Sequence, residues 1–401
     1  MKIRSVTCFA NAGDPTTQAK MVEQAGQVAH DVQAALESAG FPVQTTRLAT
    51  QPLSHLPADP LHIATELWAR CVDAGLEYLS LGPILADAPE ADLSRLDAIP
   101  DLIRGTEAVF ASVLVGHTGQ GIHLEAIQRT ARAVREIAHT TELGFGNLRL
   151  AMLANVAAHA PFFPAAYHDG GPPAVALATE SADLALDAFS EASSLEEARW
   201  RLVSAVEAAA GQIGDLVCPL AERHGTLFAG IDFSLAPFPE EARSIGAAVE
   251  GLGVDRFGAP GTLFAASFIT DCLRQAEYPA CGFNGLMLPM LEDSRLATRS
   301  RERLFTVNDL LLYSAVCGTG LDTVPLPGDV SEEELASILL DVAALALRLD
   351  KPLTARLMPV PGARAGDITE FDFAYFANGR VLDVKGLGSR KLFERGGWLA
   401  I

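Results

Sequence analysis

The sequence predicts an α/β protein built on one large sheet that closes on itself. Three observations carry that reading. Short apolar stretches of strand length alternate with helical patterns along the whole chain. No low-complexity tract or linker interrupts that order, so residues 1–401 read as a single domain. Third, the segment GIDFSLAPFP (230–239) has two unlike faces. Strand alternation puts Gly230, Asp232, Ser234 and Ala236 on one side and Ile231, Phe233 and Leu235 on the other. A buried carboxylate needs partners, so the small polar face is expected to look into a polar cavity while the other lies under helices.

The elements follow in order. KIRSVTCFA reads as a strand, and Asp14-Pro15 as the cap and first-turn proline of a helix that runs to Gly40. FPVQTTRLAT is the second strand, followed by a helix near 60–75, strand YLSLGPIL, a short helix at 99–107 and strand VFASVLVG. A helix from about Gly121 to His139 leads to strands LRLAMLANVA and PAVALA, and residues 194–224 carry the longest helical pattern, with Ser194 before it. After strand 226–236, helices are expected from Pro239 and over 261–276, then a strand GFNGLMLPML and a helix at 306–316. Ser331-x-x-Glu334 is a capping box opening a helix to Leu349. TARLMPV reads as a buried strand, and EFDFAYFANGRVLDV as a hairpin turning at Asn378-Gly379.

Composition narrows the function. A net charge of −20 argues against a nucleic-acid or anionic-membrane partner. The six cysteines are scattered, without a CxxC pair, which disfavours disulfides and structural zinc and points to a reducing cytoplasm. No apolar run reaches the roughly 18 residues of a membrane span, and the N-terminus lacks a signal-peptide pattern.

Walker A, GxSxG, HExxH and strand-placed GxGxxG motifs are absent. The candidates that remain are carboxylates at strand ends: Asp232, Glu292 in MLEDS, and Asp322 beside the Gly-rich turn Cys317-Gly318-Thr319-Gly320. Such a set suits acid/base work or a hard divalent cation, Mg²⁺ or Ca²⁺. The glycines at 318 and 320, with Thr319, would admit a ligand to the backbone, and Cys317 is a lone candidate nucleophile. Arg243 and Arg356 are expected to pair with a substrate carboxylate, and Ser234 to contact it. His117, in the turn VGHTGQGIH, flanks a possible anion site. His168-Asp169, in a Pro/His-rich loop over 158–173, can shuttle a proton or ligate a metal.

The stretches GIDFSLAPFPEEARSIG, GFNGLMLPMLED, VCGTGLDTVPLPGD and KPLTARLMPVPG resemble the domain of unknown function 711 family of bacterial and archaeal proteins. Its members are often labelled pyruvate formate-lyase-like. The resemblance implies a ten-stranded α/β barrel of the glycyl-radical-enzyme type, surrounded by helices, with a central cavity. It does not imply radical catalysis, since the C-terminus reads FERGGWLAI and there is no cysteine pair. Family members are often encoded beside a small amino-acid-sensing domain of the ACT type, so the resemblance implies such a partner, and a homo-oligomer is also expected. The expected function is a non-radical enzyme, by fold analogy a lyase or isomerase, acting on a small carboxylate metabolite. The alternative is a non-catalytic sensor or scaffold that keeps the pocket.

Overall fold

A computed structural model describes residues 1–13, 15–56, 59–384 and 388–400. Asp14, read as the first helix cap, lies outside them. The strands are β1 (Lys2–Phe9), β2 (Thr46–Ala49), β3 (Tyr78–Leu85), β4 (Val109–Leu114), β5 (Gly116–His117), β6 (Gly121–His123), β7 (Leu150–Ala154), β8 (Ala174–Glu180), β9 (Leu227–Ala236), β10 (Gly320–Pro327), β11 (Leu353–Val360) and β12 (Trp398–Leu399). The helices are α1 (Pro15–Ser38), α2 (Pro60–Asp73), α3 (Ile99–Gly105), α4 (Leu124–Thr140), α5 (Ala182–Ser190), α6 (Leu195–Arg223), α7 (Ile245–Gly251), α8 (Thr262–Gln275), α9 (Ser294–Arg301), α10 (Val307–Ser314), α11 (Glu332–Leu349) and α12 (Arg390–Phe393).

Nine strands form one sheet in the order β10-β11-β7-β4-β3-β2-β1-β8-β9. Five of them, β1, β2, β3, β4 and β7, run parallel. The pairs β8–β9 and β10–β11 are also parallel within themselves. Each pair meets the central five in antiparallel register, at β1–β8 and at β7–β11. The expected closed, ten-stranded barrel is not found. Residues 282–291, read as a strand, form no ladder among the described residues. Instead residues 280–291 cross between the two sheet edges, with one parallel bridge to β9 (Ile231–Ala280) and one to β10 (Pro289–Asp322).

The reason is local. Gly282 and Asn284 have positive φ (76° and 43°), which breaks the extended repeat. Side chains then replace the ladder. Asp232 accepts from the Phe283 and Asn284 N–H groups at 2.9 and 3.2 Å, and Asn284 Oδ1 accepts from Phe233 N–H at 2.9 Å.

Helices cover one face of the sheet, where Ile231, Phe233 and Leu235 are fully buried as the alternation of β9 predicts. The other face encloses the loop 155–173. Phe162, Ala160 and Val156 pack on Leu114, Ala151 and Leu153 of β4 and β7. Phe163 and Ala166 pack on Phe9, Ala49 and Phe110 of β1, β2 and β4. Residues 160–168 of the loop thus fill the interior, while 169–173 lie on the surface.

The capping signals hold. Ser331 and Glu334 exchange side-chain and backbone bonds at the start of α11, and Ser194 accepts from Glu197 N–H; Asp59, not singled out from the sequence, also caps α2 ahead of Pro60. Three expectations shift. Residues 121–123 form β6, pairing with β5 and β12, so α4 starts at Leu124. Pro239 opens no helix: a 3₁₀ turn occupies Glu241–Arg243, and α7 begins at Ile245. The hairpin at 370–384 is a loop with one bridge, Ile368–Arg380. It is held by Asn378, whose amide bonds Thr369 and both backbone groups of Phe371. Its aromatics cluster with Phe145 rather than alternating in a sheet.

Gly318 and Gly285 pack against each other so closely that a Cβ on Gly318 would stand 2.4 Å from the Gly285 Cα. Gly318→Ala is therefore expected to lose about 1–3 kcal/mol of stability or more through overpacking. Gly214→Ala in α6, where a Cβ meets open space, should gain about 0.5–1 kcal/mol. Urea unfolding of the two variants checks both signs.

Candidate functional site

A cavity of about 70 Å³ lies inside the sheet, walled by Arg4, Arg47, Tyr78, Phe162, Phe163, Thr179, Asp232, Ser234, Glu292 and Arg356 among others. At roughly 10–15 Å³ per water it suits a handful of waters or one small molecule.

Charge organises its walls. Arg356, on β11, is 4% exposed. Its Nε donates to Asp322 Oδ1 at 2.6 Å and its Nη2 to Glu292 Oε1 at 2.8 Å. Its Nη1 reaches Leu148 O at 3.3 Å. The second Glu292 oxygen, Oε2, takes Nη2 of Arg4 from β1. Burial pushes Glu292 up, but Arg4 and Arg356 outweigh it and hold the carboxyl below its usual range. Asp322 is raised by burial and by the neighbouring Glu292 charge against Arg356, and its Oδ2 is buried without a hydrogen-bond partner. At the rim, Arg243 lies over the Phe238 ring and bonds Glu180 and Glu240.

Arg47 differs from the other arginines. It is 7% exposed, its Nε donates to Thr45 Oγ1 at 2.8 Å, and no carboxylate pairs with it among the described residues. Its guanidinium lies between the rings of Phe163 (5.0 Å) and Tyr78 (5.3 Å), a cation–π sandwich. Burial first, then the Arg4 charge, lowers it to about 10. Among the cavity's arginines, Arg4 and Arg356 pair with carboxylates and Arg47 does not, among the described residues.

Asp232 and Ser234 line the cavity as the strand pattern predicts. Ser234 Oγ donates to Asp232 Oδ1, and burial raises the Asp232 carboxyl despite the bonds from Ser234, Phe283 and Asn284. Glu292 and Asp293 point apart. Glu292 enters the cavity, while Asp293 accepts from Ile245 N–H and Leu296 N–H and so caps α7 and α9 together.

The other expected residues lie elsewhere. Asp322 stands behind Arg356 rather than on the cavity wall. Cys317 is buried at the start of the Gly-rich turn, and burial raises its thiol, which disfavours the nucleophilic thiolate. The room beside Gly318 is taken by Gly285, and beside Gly320 by Thr354 O, so this turn serves chain packing and Thr319 is fully buried with it. Arg243 is held by two glutamates at the rim. His117 sits in β5, away from the cavity lining. His168 is buried at the far end of the loop 155–173, against His159 and Asp169. Burial lowers both imidazoles, while the Gly171 N–H holds Asp169 low. The expected hard-cation site also changes character. Glu292 spends both oxygens on arginines and Asp232 both on N–H and O–H donors, so the cavity's carboxylates already face positive partners.

Arg4, Arg47, Tyr78 and the loop aromatics were not singled out from the sequence. The available signal was a single arginine inside each of the strands KIRSVTCFA and FPVQTTRLAT, the same mark that flagged Asp232.

The fold and site define an α/β protein with an arginine-rich interior pocket. The family model Uncharacterised ACR (DUF711) matches residues 1–376, and the chain belongs to that family. It is 33% identical over 388 residues to the UPF0210 protein of Methanopyrus kandleri, covering 91% of this chain and 85% of that protein. It is 36% identical over 361 residues to the UPF0210 protein of Pyrobaculum arsenaticum, covering 85% and 78%. It is 25% identical over 425 residues to that of Oenococcus oeni, covering 99% and 92%. The matches span archaea and bacteria. No helix among the described residues is long and apolar enough to cross a membrane.

Arg356→Met should cost about 3–5 kcal/mol at pH 7, because it leaves Glu292 and Asp322 buried together without their shared cation. The sign with pH follows from Glu292. Its lowered carboxyl contributes stability present at neutral pH and lost as pH falls below the ordinary carboxylate range. In the variant that contribution is smaller, so the gap between wild type and Arg356→Met should narrow toward pH 4. Urea unfolding at both pH values measures it, and a constant gap contradicts the assignment.

Proposed function

We propose that this chain is an enzyme that binds a small carboxylate-bearing metabolite in the interior cavity and acts on it by proton transfer. The observation that carries the reading is Arg47: buried, fixed between two rings, facing the cavity, and lacking an acidic partner among the described residues. An unpaired buried cation is costly, and an anionic ligand offsets that cost in the bound state. A carboxylate accepts the planar guanidinium in two parallel bonds. Arg4 and Arg356 would add positive potential, already fixed in place by Glu292.

Asp232 is the acid/base candidate, with Ser234 bonded to it. Its raised carboxyl brings proton exchange closer to neutral pH. Acid/base chemistry is favoured over a hard cation here because the cavity carboxylates already hold arginine or N–H donors. One observation favours the binding-only alternative: both Asp232 oxygens also hold the backbone at 283 and 284, which a sensor needs as much as an enzyme does.

On the fold, we propose that residues 279–291 stand as an irregular tenth strand. Both of their bridges are parallel. Counting them gives two five-stranded halves that meet antiparallel at β1–β8 and β7–β11, which supports kinship with barrels of the glycyl-radical-enzyme type without their radical chemistry.

The test begins with thermal unfolding of the ligand-free protein against small 2-oxo, 2-hydroxy and 2-amino carboxylates. At about a hundredfold excess over Kd a true ligand stabilises by roughly 2.7 kcal/mol. At least one acid should do so in wild type and none in Arg47→Met, while the unliganded variant is as stable as wild type or more so. No response to any acid, or an undiminished response in the variant, would overturn the reading. For the acid that binds, proton NMR in D₂O should show turnover or exchange of a carbon-bound hydrogen. Binding with an unaltered, unexchanged ligand selects the sensor.

A further inference from the structure

The loop 155–173 places a second group of polar side chains away from the arginine cavity. His159, His168 and Asp169 bring one ligand atom each to a common point. The separations are 3.2 Å for His159 Nε2 to His168 Nδ1, 3.3 Å for His168 Nδ1 to Asp169 Oδ1, and 3.6 Å for His159 Nε2 to Asp169 Oδ1. A tetrahedral ion with ligand bonds of roughly 2.0–2.2 Å spaces its donors by about 3.3–3.6 Å. The three atoms lie close to one face of such a tetrahedron.

The group is fixed at the C-terminal ends of β1 and β2. His168 N–H donates to Thr50 O at 2.9 Å, and Asn11 Nδ2 donates to Gly170 O at 3.1 Å. The His159 ring meets Phe9 edge-on at 5.2 Å. His159 holds a positive φ of 65°. His168 is fully buried with its Nδ1 in the group, its other ring nitrogen, Nε2, has no hydrogen-bond partner, and Asp169 Oδ1 also accepts from Gly171 N–H at 2.8 Å. One proton between the two facing imidazole nitrogens satisfies one contact of the three and does nothing for the other two.

We infer that His159 Nε2, His168 Nδ1 and Asp169 Oδ1 form a three-ligand site for a zinc-class divalent cation. Two imidazoles and one carboxylate suit Zn²⁺ and its first-row neighbours and do not suit Mg²⁺ or Ca²⁺. Asp169 is 54% exposed on its side chain, so the ion enters from solvent and the fourth position faces outward, where water or an external ligand completes the shell. All three ligands come from the interior loop. The ion would therefore tie the two ends of the buried stretch 159–169 to each other, beside the ends of β1 and β2. The site is independent of the proposed carboxylate pocket.

The test uses the full-length protein, stripped with a chelator and titrated with ZnCl₂ by calorimetry. Asp169→Asn and His159→Gln are the variants, because neither side chain is fully buried; His168, which is, stays unaltered. Wild type should bind one equivalent of zinc, and each variant should bind at least about tenfold more weakly. Co²⁺ substitution should give the intense visible spectrum of a four-coordinate ion, and excess MgCl₂ should not displace it. Absence of one-to-one binding, unchanged affinity in both variants, or a weak six-coordinate Co²⁺ spectrum would each overturn the assignment.

Discussion

The interior is organised by one buried cation. Arg356 touches Asp322 and Glu292 with separate nitrogens, and Glu292 passes its remaining oxygen to Arg4. That chain of charges joins β10, β11, the end of the crossing segment and β1. Removing any member leaves a buried ion without its partner, which costs more than the pair itself contributes. The strands must therefore keep a spacing that lets three guanidinium contacts close at once. This requirement also leaves Arg47 apart. Glu292 has both oxygens occupied, Glu180 is held by Arg243, and no carboxylate pairs with Arg47 among the described residues.

A second constraint is backbone satisfaction around the crossing segment. Its φ reversals forfeit ladder bonds that a regular strand would make, and buried N–H groups cannot go unpaired without cost. Asp232 and Asn284 take them up. The same residues thus serve two ends: they hold an irregular chain, and they put carboxylates where a regular strand would show only a pleat. This is why an acid stands in the middle of β9. Its first duty is to the backbone at 283 and 284, and any chemistry it performs is added to that duty.

These two constraints explain what could be read ahead of the structure. The faces of β9 and the capped starts of α6 and α11 were legible because each depends on neighbours within a few residues. The pairing of Arg4 with Glu292 spans 288 positions, and no local period marks it. The segment 282–291 and the aromatic loop at 370–384 have strand-like composition, so their apolar content was read correctly and their geometry was not. Gly282 and Asn284 break the first. In the second, Asn378 satisfies Phe371 by side-chain bonds, and the phenylalanines find Phe145 instead of a neighbouring strand.

The loop 155–173 shows how far such readings extend. Its prolines, histidines and glycines suggest a surface connection, since loops usually carry backbone that needs water. Here Phe162 and Phe163 are buried against the inner sheet face. Phe163 is also one wall of the Arg47 sandwich, and a few residues later His168 is fixed to Thr50 beside β2. Arg47 belongs to that same short strand. The position of the cavity's unpaired cation and the geometry of the histidine group thus rest on one stretch of packing, and a displacement of the loop along the sheet interior would move both. Two chemically unlike clusters can be kept in register in this way without any contact between them.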